Sequence, residues 1–199
     1  MIIEHINYKI HTLNEYGIWG GFKMNELKAC ELYTERLHMR KLRADDIDSY
    51  YEIMKKDEVG VWLATSRGKT YGETKQLIEK FSRHWSEKEY GVFAVIDKNS
   101  KELMGHCGLN FLNETSEVEI LYAFDPKFWG NGYATEAALK VLEYGFKEAK
   151  LNRIIALVKP DNIRSRKVIE KMGLKLLGIK EYFGLKCACY ETNNYINSK

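Results

Sequence analysis

Gly130 and Gly132 stand one residue apart in Phe128-Trp129-Gly130-Asn131-Gly132-Tyr133, with an aromatic on each side and Lys127 three residues ahead. Glycine is a poor helix former. Yet a helical apolar stripe follows at once, at Ala138, Val141, Leu142, Gly145 and Ala149. Glycines at a helix mouth let an anion reach the unpaired N–H groups and the positive end of the helix dipole without meeting a Cβ. The spacing points to a phosphate cradle with Lys127 as an added cation; the alternative is a simple turn. No Gly-Lys-Ser/Thr follows, so it is not a P-loop, and no third glycine has the spacing of a dinucleotide fingerprint. The four cysteines, Cys30, Cys107, Cys187 and Cys189, form no Cys-x-x-Cys pair. Cys187 and Cys189 would share one face of a strand, where they read as small packed residues. No metal is expected.

These residues need elements to hold them. Leu32–Arg40 reads as a strand, with Leu37 and Met39 on one face. A helix begins at Ala44, with Asp45 and Asp46 in its first turn, where the dipole favours acids. Residues 60–68 read as a loop. Thr70–Glu87 is helical, with Leu77, Ile78, Phe81 and Trp85 at helical spacing. Strands over Val92–Ile96, Leu103–Phe111 and Val118–Phe124 are joined by turn-rich segments at 98–101 and 113–116. A helix over Tyr133–Ala149 and a strand over Ile154–Val158 come next. Pro160 and Asp161 end that strand, and Gly173 closes a helix over Ile163–Met172. Two last strands fit Lys175–Lys180 and Cys187–Tyr195. Hairpins in the middle and a βαβ unit later predict a mixed sheet in an α+β fold.

The totals set limits. The 199 residues are 45% hydrophobic and 30% charged, which is enough for a domain with a proper core. The net charge is +3, with no block of five or six like charges, against a dedicated nucleic-acid or anionic-membrane surface. The apolar runs are strand-sized, so no membrane span is expected. Residues 1–23 lack the pattern of a signal sequence, which with the free thiols fits a reducing, cytoplasmic setting. Gly20-Gly21 shortly before Met24 fits a ribosome-binding site in the gene. The expected natural start is therefore Met24, with 1–23 an extension and 24–199 a single domain.

Lys127–Ala137 resembles the acyl-CoA diphosphate loop of the GNAT superfamily of N-acetyltransferases, written Q/R-x-x-G-x-G/A, with Lys127 in first position. Within that superfamily, Thr34–Arg43 is similar to the opening strand of the ribosomal-protein N-terminal acetyltransferases. Glu117–Pro126 is similar to their cofactor-facing strand. Pro160–Leu174 is similar to their last helix, with Asn162 and Ser165 as its N-x-x-S. The four stretches run in the family's order from about Leu32 to the C-terminus.

The resemblance implies a central mixed, mostly antiparallel sheet with helices on both faces. Its splayed parallel pair would be Val118–Phe124 and Ile154–Val158. It implies acetyl-CoA between those strands, with no metal. The pantetheine arm would pair with the backbone of Tyr122, Ala123 and Phe124. The diphosphate would lie on Lys127, Gly130, Asn131, Gly132, Tyr133 and Ala134, with Asn162 and Ser165 near the sulfur. Glu119 is the implied base, or else a solvated outward residue; Glu181 is the second candidate, or else a loop charge. Ser165 is the implied acid, because Ile169 stands where many members carry a tyrosine. Asn162 also reads as a helix N-cap. His106 reads as a structural strand histidine, Trp85 as core, Trp62 as pocket wall or core, and Trp129 as packing for the loop. The implied acceptor is the N-terminal α-amine of a ribosomal protein. Alternatives are a small amine (a polyamine, an amino-acid-like toxin or an aminoglycoside), a non-catalytic acyl-CoA-binding module, or a nucleotide-phosphate binder. Residues 59–69 and 180–186 would choose the acceptor, and the protein would act as a monomer or homodimer.

Overall fold

The computed structural model describes residues 30–194, so the expected boundary at Met24 lies outside the described residues. The described residues open with a short hairpin, β1 (Leu32–Tyr33) and β2 (Leu37–Lys41), where one continuous strand was expected. The break is local chemistry. Thr34 N–H donates to the Leu37 carbonyl at 3.0 Å, and the Leu37 N–H donates to Thr34 Oγ1 at 2.9 Å. A threonine that bonds its own turn competes with the strand ladder. After a 3-10 turn at Ala44–Asp46 comes α1 (Ile47–Met54). A four-residue helix, α2 (Asp57–Gly60), precedes the expected loop.

Helix α3 (Tyr71–Lys88) begins at a capping box. Thr70 Oγ1 accepts from the Glu73 N–H at 3.2 Å, and the Glu73 carboxylate accepts from the Thr70 N–H at 2.8 Å. Then follow β3 (Val92–Asp97), β4 (Leu103–Leu112) and β5 (Glu117–Phe124), α4 (Tyr133–Lys147), β6 (Arg153–Val158), α5 (Ile163–Lys171), β7 (Lys175–Tyr182) and β8 (Leu185–Asn193).

The eight strands form one sheet in the order β1-β2-β3-β4-β5-β6-β8-β7. Every neighbouring pair is antiparallel except β5 and β6. Those two run parallel and share a single registered pair, Glu119 with Ile155. Beyond that pair the strands part.

Alternation along each strand builds a core on either face. Val118, Ile120 and Phe124 of β5 pack with Ala137 and Val141 of α4 and Ile169 of α5. Ala123, the next residue along from Tyr122, packs instead with Tyr50 and Met54 of α1 and Ile78 and Phe81 of α3. Each large apolar side chain buried there, such as Ile120, Val141, Ile169 or Phe81, contributes roughly 1.5–3 kcal/mol. A third, small cluster joins Ile155, Cys189, Leu112 and Tyr182, with Cys187 packed against it. Among the described residues no helix is long and apolar enough to cross a membrane.

Candidate active site

The two glycines occupy the turn between β5 and α4. Asp125 caps the 3-10 turn Pro126–Phe128, accepting from the Lys127 N–H at 3.2 Å. The Trp129 indole N–H then donates to the Phe124 carbonyl at 2.8 Å, which ties the loop to the end of β5. Gly130 and Gly132 both have φ of +81°, a backbone region that glycine reaches without penalty. A Cβ built on Gly130 would meet no other atom within 4 Å, and one on Gly132 would approach only Arg36. Gly132 caps α4, whose first four N–H groups have no partner within the helix. The loop is thus a glycine-lined opening onto free helix N–H groups, which fits a diphosphate. Asn131, Tyr133 and Ala134 belong to this opening. The Lys127 ammonium, expected here as the cation, is ion-paired with Glu102. The cation beside Gly132 is Arg36, which the sequence reading missed.

Glu119 lies on β5 at its one pairing with β6. It shares the strand face of Leu121 and Ala123, on the α1–α3 side. Partial burial pushes its carboxyl up to about 7, against a weaker downward pull from Lys80. Three residues on, Tyr122 points to the opposite face. Its hydroxyl lies 2.7 Å from Ser165 Oγ and donates to the Ser165 carbonyl at 3.2 Å. Burial raises the Tyr122 pKa, so the hydroxyl keeps its proton. Asn162 caps α5, accepting from the Ser165 N–H at 3.1 Å. Ile169 is 2% exposed, deep in the core, and presents nothing to a substrate. β5 thus carries the Glu119 carboxyl on one face and, on the other, the Tyr122 hydroxyl bonded to Ser165 of α5.

On the α1–α3 side, Lys159 at the end of β6 donates to the Val61 carbonyl at 2.8 Å and to Ser66 Oγ at 2.7 Å. It ties the loop after α2 across the end of the gap. Trp62 is 37% exposed in that loop, whereas Trp85 is core and donates its indole N–H to the Val92 carbonyl at 2.9 Å. Glu181 is an exposed residue of β7, not of a loop. His106 is buried with Nδ1 2.9 Å from the Tyr50 hydroxyl, and burial holds its pKa down at about 3. It is a neutral structural histidine. All four cysteines are free, and Cys187 and Cys189 pack against the same small cluster. Among the described residues no group of three or more His, Cys, Asp and Glu side chains is placed to hold a metal.

Comparison with known proteins agrees with this geometry. The family described as "Acetyltransferase (GNAT) domain" matches residues 36–175. A Bacillus licheniformis protein described as the uncharacterized N-acetyltransferase p20 is 32% identical over 149 residues, covering 74% of this chain and 84% of its own. A solved GNAT-family acetyltransferase from Bacillus anthracis superposes with a TM-score of 0.68 at 30% identity, covering 81% of this chain and 95% of its own. RimL, a ribosomal L7/L12 α-N-protein acetyltransferase solved with coenzyme A, superposes with a TM-score of 0.69. At 16% identity, over 80% of this chain and 95% of its own, it shares the fold.

Proposed function

The chain belongs to the GNAT acetyltransferase family, and from that premise we propose that it moves an acetyl group from acetyl-CoA to the N-terminal α-amine of a protein, with a ribosomal protein as the first acceptor to test. The observation that carries this reading is Glu119: a carboxyl with a pKa of about 7, where the parallel strands part, on the strand that leads into the glycine opening. The RimL neighbour supports the choice of acceptor class. A ribosomal acceptor also implies action in the cytoplasm, by residues 24–199 working as one domain.

The chemistry follows from the residues. An amine attacks a thioester only when neutral. An α-amino group has a pKa near 8 and a lysine near 10.4, so a base near 7 is better matched to an N-terminus. Glu119 accepts that proton, directly or through water. The open edge of β5 around Tyr122 to Phe124 supplies N–H groups to the developing oxyanion. Ser165, held by the Tyr122 hydroxyl, gives a proton or hydrogen bond to the leaving sulfur. Gly130, Asn131, Gly132, Tyr133 and Ala134 hold the diphosphate, and Asn162 keeps the first turn of α5 in place.

Thiol release from acetyl-CoA, measured with a panel of amines, tests the reading. The panel holds short peptides with Ala, Ser or Met N-termini, polyamines, aminoglycosides and single amino acids. Turnover with peptides is expected. Turnover with small amines alone overturns the protein-acceptor assignment. Binding of CoA without turnover on any acceptor marks a non-catalytic binding module.

A further inference from the structure

We propose that Arg36 and Arg164 form a guanidinium pair at the diphosphate loop, an inference that rests on the acetyl-CoA reading: Arg36 fixes the loop and Arg164 supplies its free positive charge. The two aromatics that flank the glycines each carry one of these arginines. Arg36 Cζ lies 4.1 Å from the Tyr133 ring centre, and Arg164 Cζ lies 5.3 Å from the Trp129 ring centre. They come from distant parts of the chain, the β1–β2 turn and the first turn of α5, and meet at one six-residue stretch.

Arg36 is locked in place. Its Nε donates to Glu136 Oε2 at 2.7 Å, and its Nη2 lies 2.6 Å from the same carboxylate. Its backbone N–H donates to Glu136 Oε1 at 3.0 Å, and Thr34 donates to that oxygen at 2.5 Å. From this anchor, Nη1 donates to the Asn131 carbonyl at 3.0 Å. That is the backbone oxygen between the two glycines. Left unbonded, it would present negative charge to an incoming anion; held by Arg36, it is neutralised and fixed. Because Glu136 balances the Arg36 charge, Arg36 is a positioning residue.

Arg164 is different. It is exposed, and its recorded contact is with the Trp129 ring. A cation in the first turn of a helix opposes the helix dipole, so helix stability does not account for it. A phosphate beside Trp129 does. Among the described residues no carboxylate forms an ion pair with it, Asp161 three positions ahead included, and the Glu136 carboxylate is taken by Arg36.

Calorimetric titration with CoA and with adenosine 3′,5′-bisphosphate tests the pair without relying on turnover. Arg164→Gln is expected to weaken both ligands about tenfold, the range of a lost charge-assisted contact. The ligand-free melting temperature should not fall, since the side chain is exposed and its charge opposes the dipole of α5. Arg36→Lys keeps the charge but loses the fork, and the same weakening is expected. Wild-type affinity in Arg164→Gln overturns the charge role, and wild-type affinity in Arg36→Lys overturns the positioning role. A wild-type protein that binds neither ligand overturns the acetyl-CoA reading itself, a result distinct from both.

Discussion

At the scale of single residues, the site divides its work across one strand. Glu119 faces the α1–α3 side and Tyr122, with Ser165, faces the α4–α5 side. A base with a pKa of about 7 predicts an acid limb in kcat/KM that rises through pH 7, followed by the limb of the amine itself near 8. In Glu119→Gln the first limb should vanish and kcat fall by about a hundredfold or more, the usual share of a general base. A pH–rate profile that keeps its lower limb in the variant removes Glu119 from that role. The hydroxyl pair makes a separate prediction. If Tyr122 acts by holding Ser165, then Tyr122→Phe and Ser165→Ala will couple by about 1–2 kcal/mol in a double-mutant cycle on kcat. The double variant would then be little slower than Ser165→Ala alone. The glycine opening and the Asn162 cap were readable in the sequence because each sits in a short local pattern, whereas Glu119 and Ser165 were named through the resemblance to the family. Arg36 and the Tyr122 hydroxyl were not, because their partners lie 95 and 43 residues away. No local period reports such a contact.

At the scale of elements, periodicity located the long pieces and failed at the short ones. The strand-sized apolar runs of β3, β4 and β5, set off by turn-rich segments, and the helical stripes of α3 and α4 survive in the fold because each is long enough to show in the sequence. β1 and β2 read as one strand, because a two-residue strand carries no period and the turn depends on the Thr34 side chain. Helix α2, at four residues, went unread ahead of the loop at 60–68 for the same reason. Its last residue, Gly60, sets the path of the loop that Lys159 holds over the gap. A Cβ on Gly60 would fall 1.9 Å from the Arg67 carbonyl carbon and 2.1 Å from the Gly68 nitrogen. These are backbone atoms, so the loop itself must move, at a cost of about 1–3 kcal/mol. Gly60→Ala should therefore raise KM for the acceptor several-fold while leaving the Kd for CoA unchanged. Equal losses on both ligands would mean that the loop belongs to the fold's general stability and not to acceptor binding.

At the scale of the whole molecule, the sheet separates a core under α4 and α5 from a core under α1 and α3, and two titrating groups on the α1–α3 side, His106 and the partly buried Glu119, pull stability in opposite directions. His106 has its pKa held down at about 3, so the unfolded chain binds a proton there that the folded chain refuses. Its contribution is complete above about pH 6.5, the usual histidine value, and is lost as pH falls toward 3. Glu119 has its pKa raised to about 7, so the folded chain holds a proton that the unfolded chain has released. That contribution is present below about pH 4.5 and is lost as pH rises through 7. The ionised Glu119 that the proposed reaction requires is therefore the form the fold tolerates least, the usual conflict between a poised site and stability. Glu119→Gln, slowed by the argument above, should melt several degrees higher than wild type at pH 8, at about 2–4 °C per kcal/mol for a chain of this size. At pH 4, where the wild-type carboxyl is neutral in the folded and largely neutral in the unfolded chain, the two should melt nearly together. Melting curves at the two pH values decide it, and a constant difference between the proteins at both would mean that the substitution acts through packing and not through the proton.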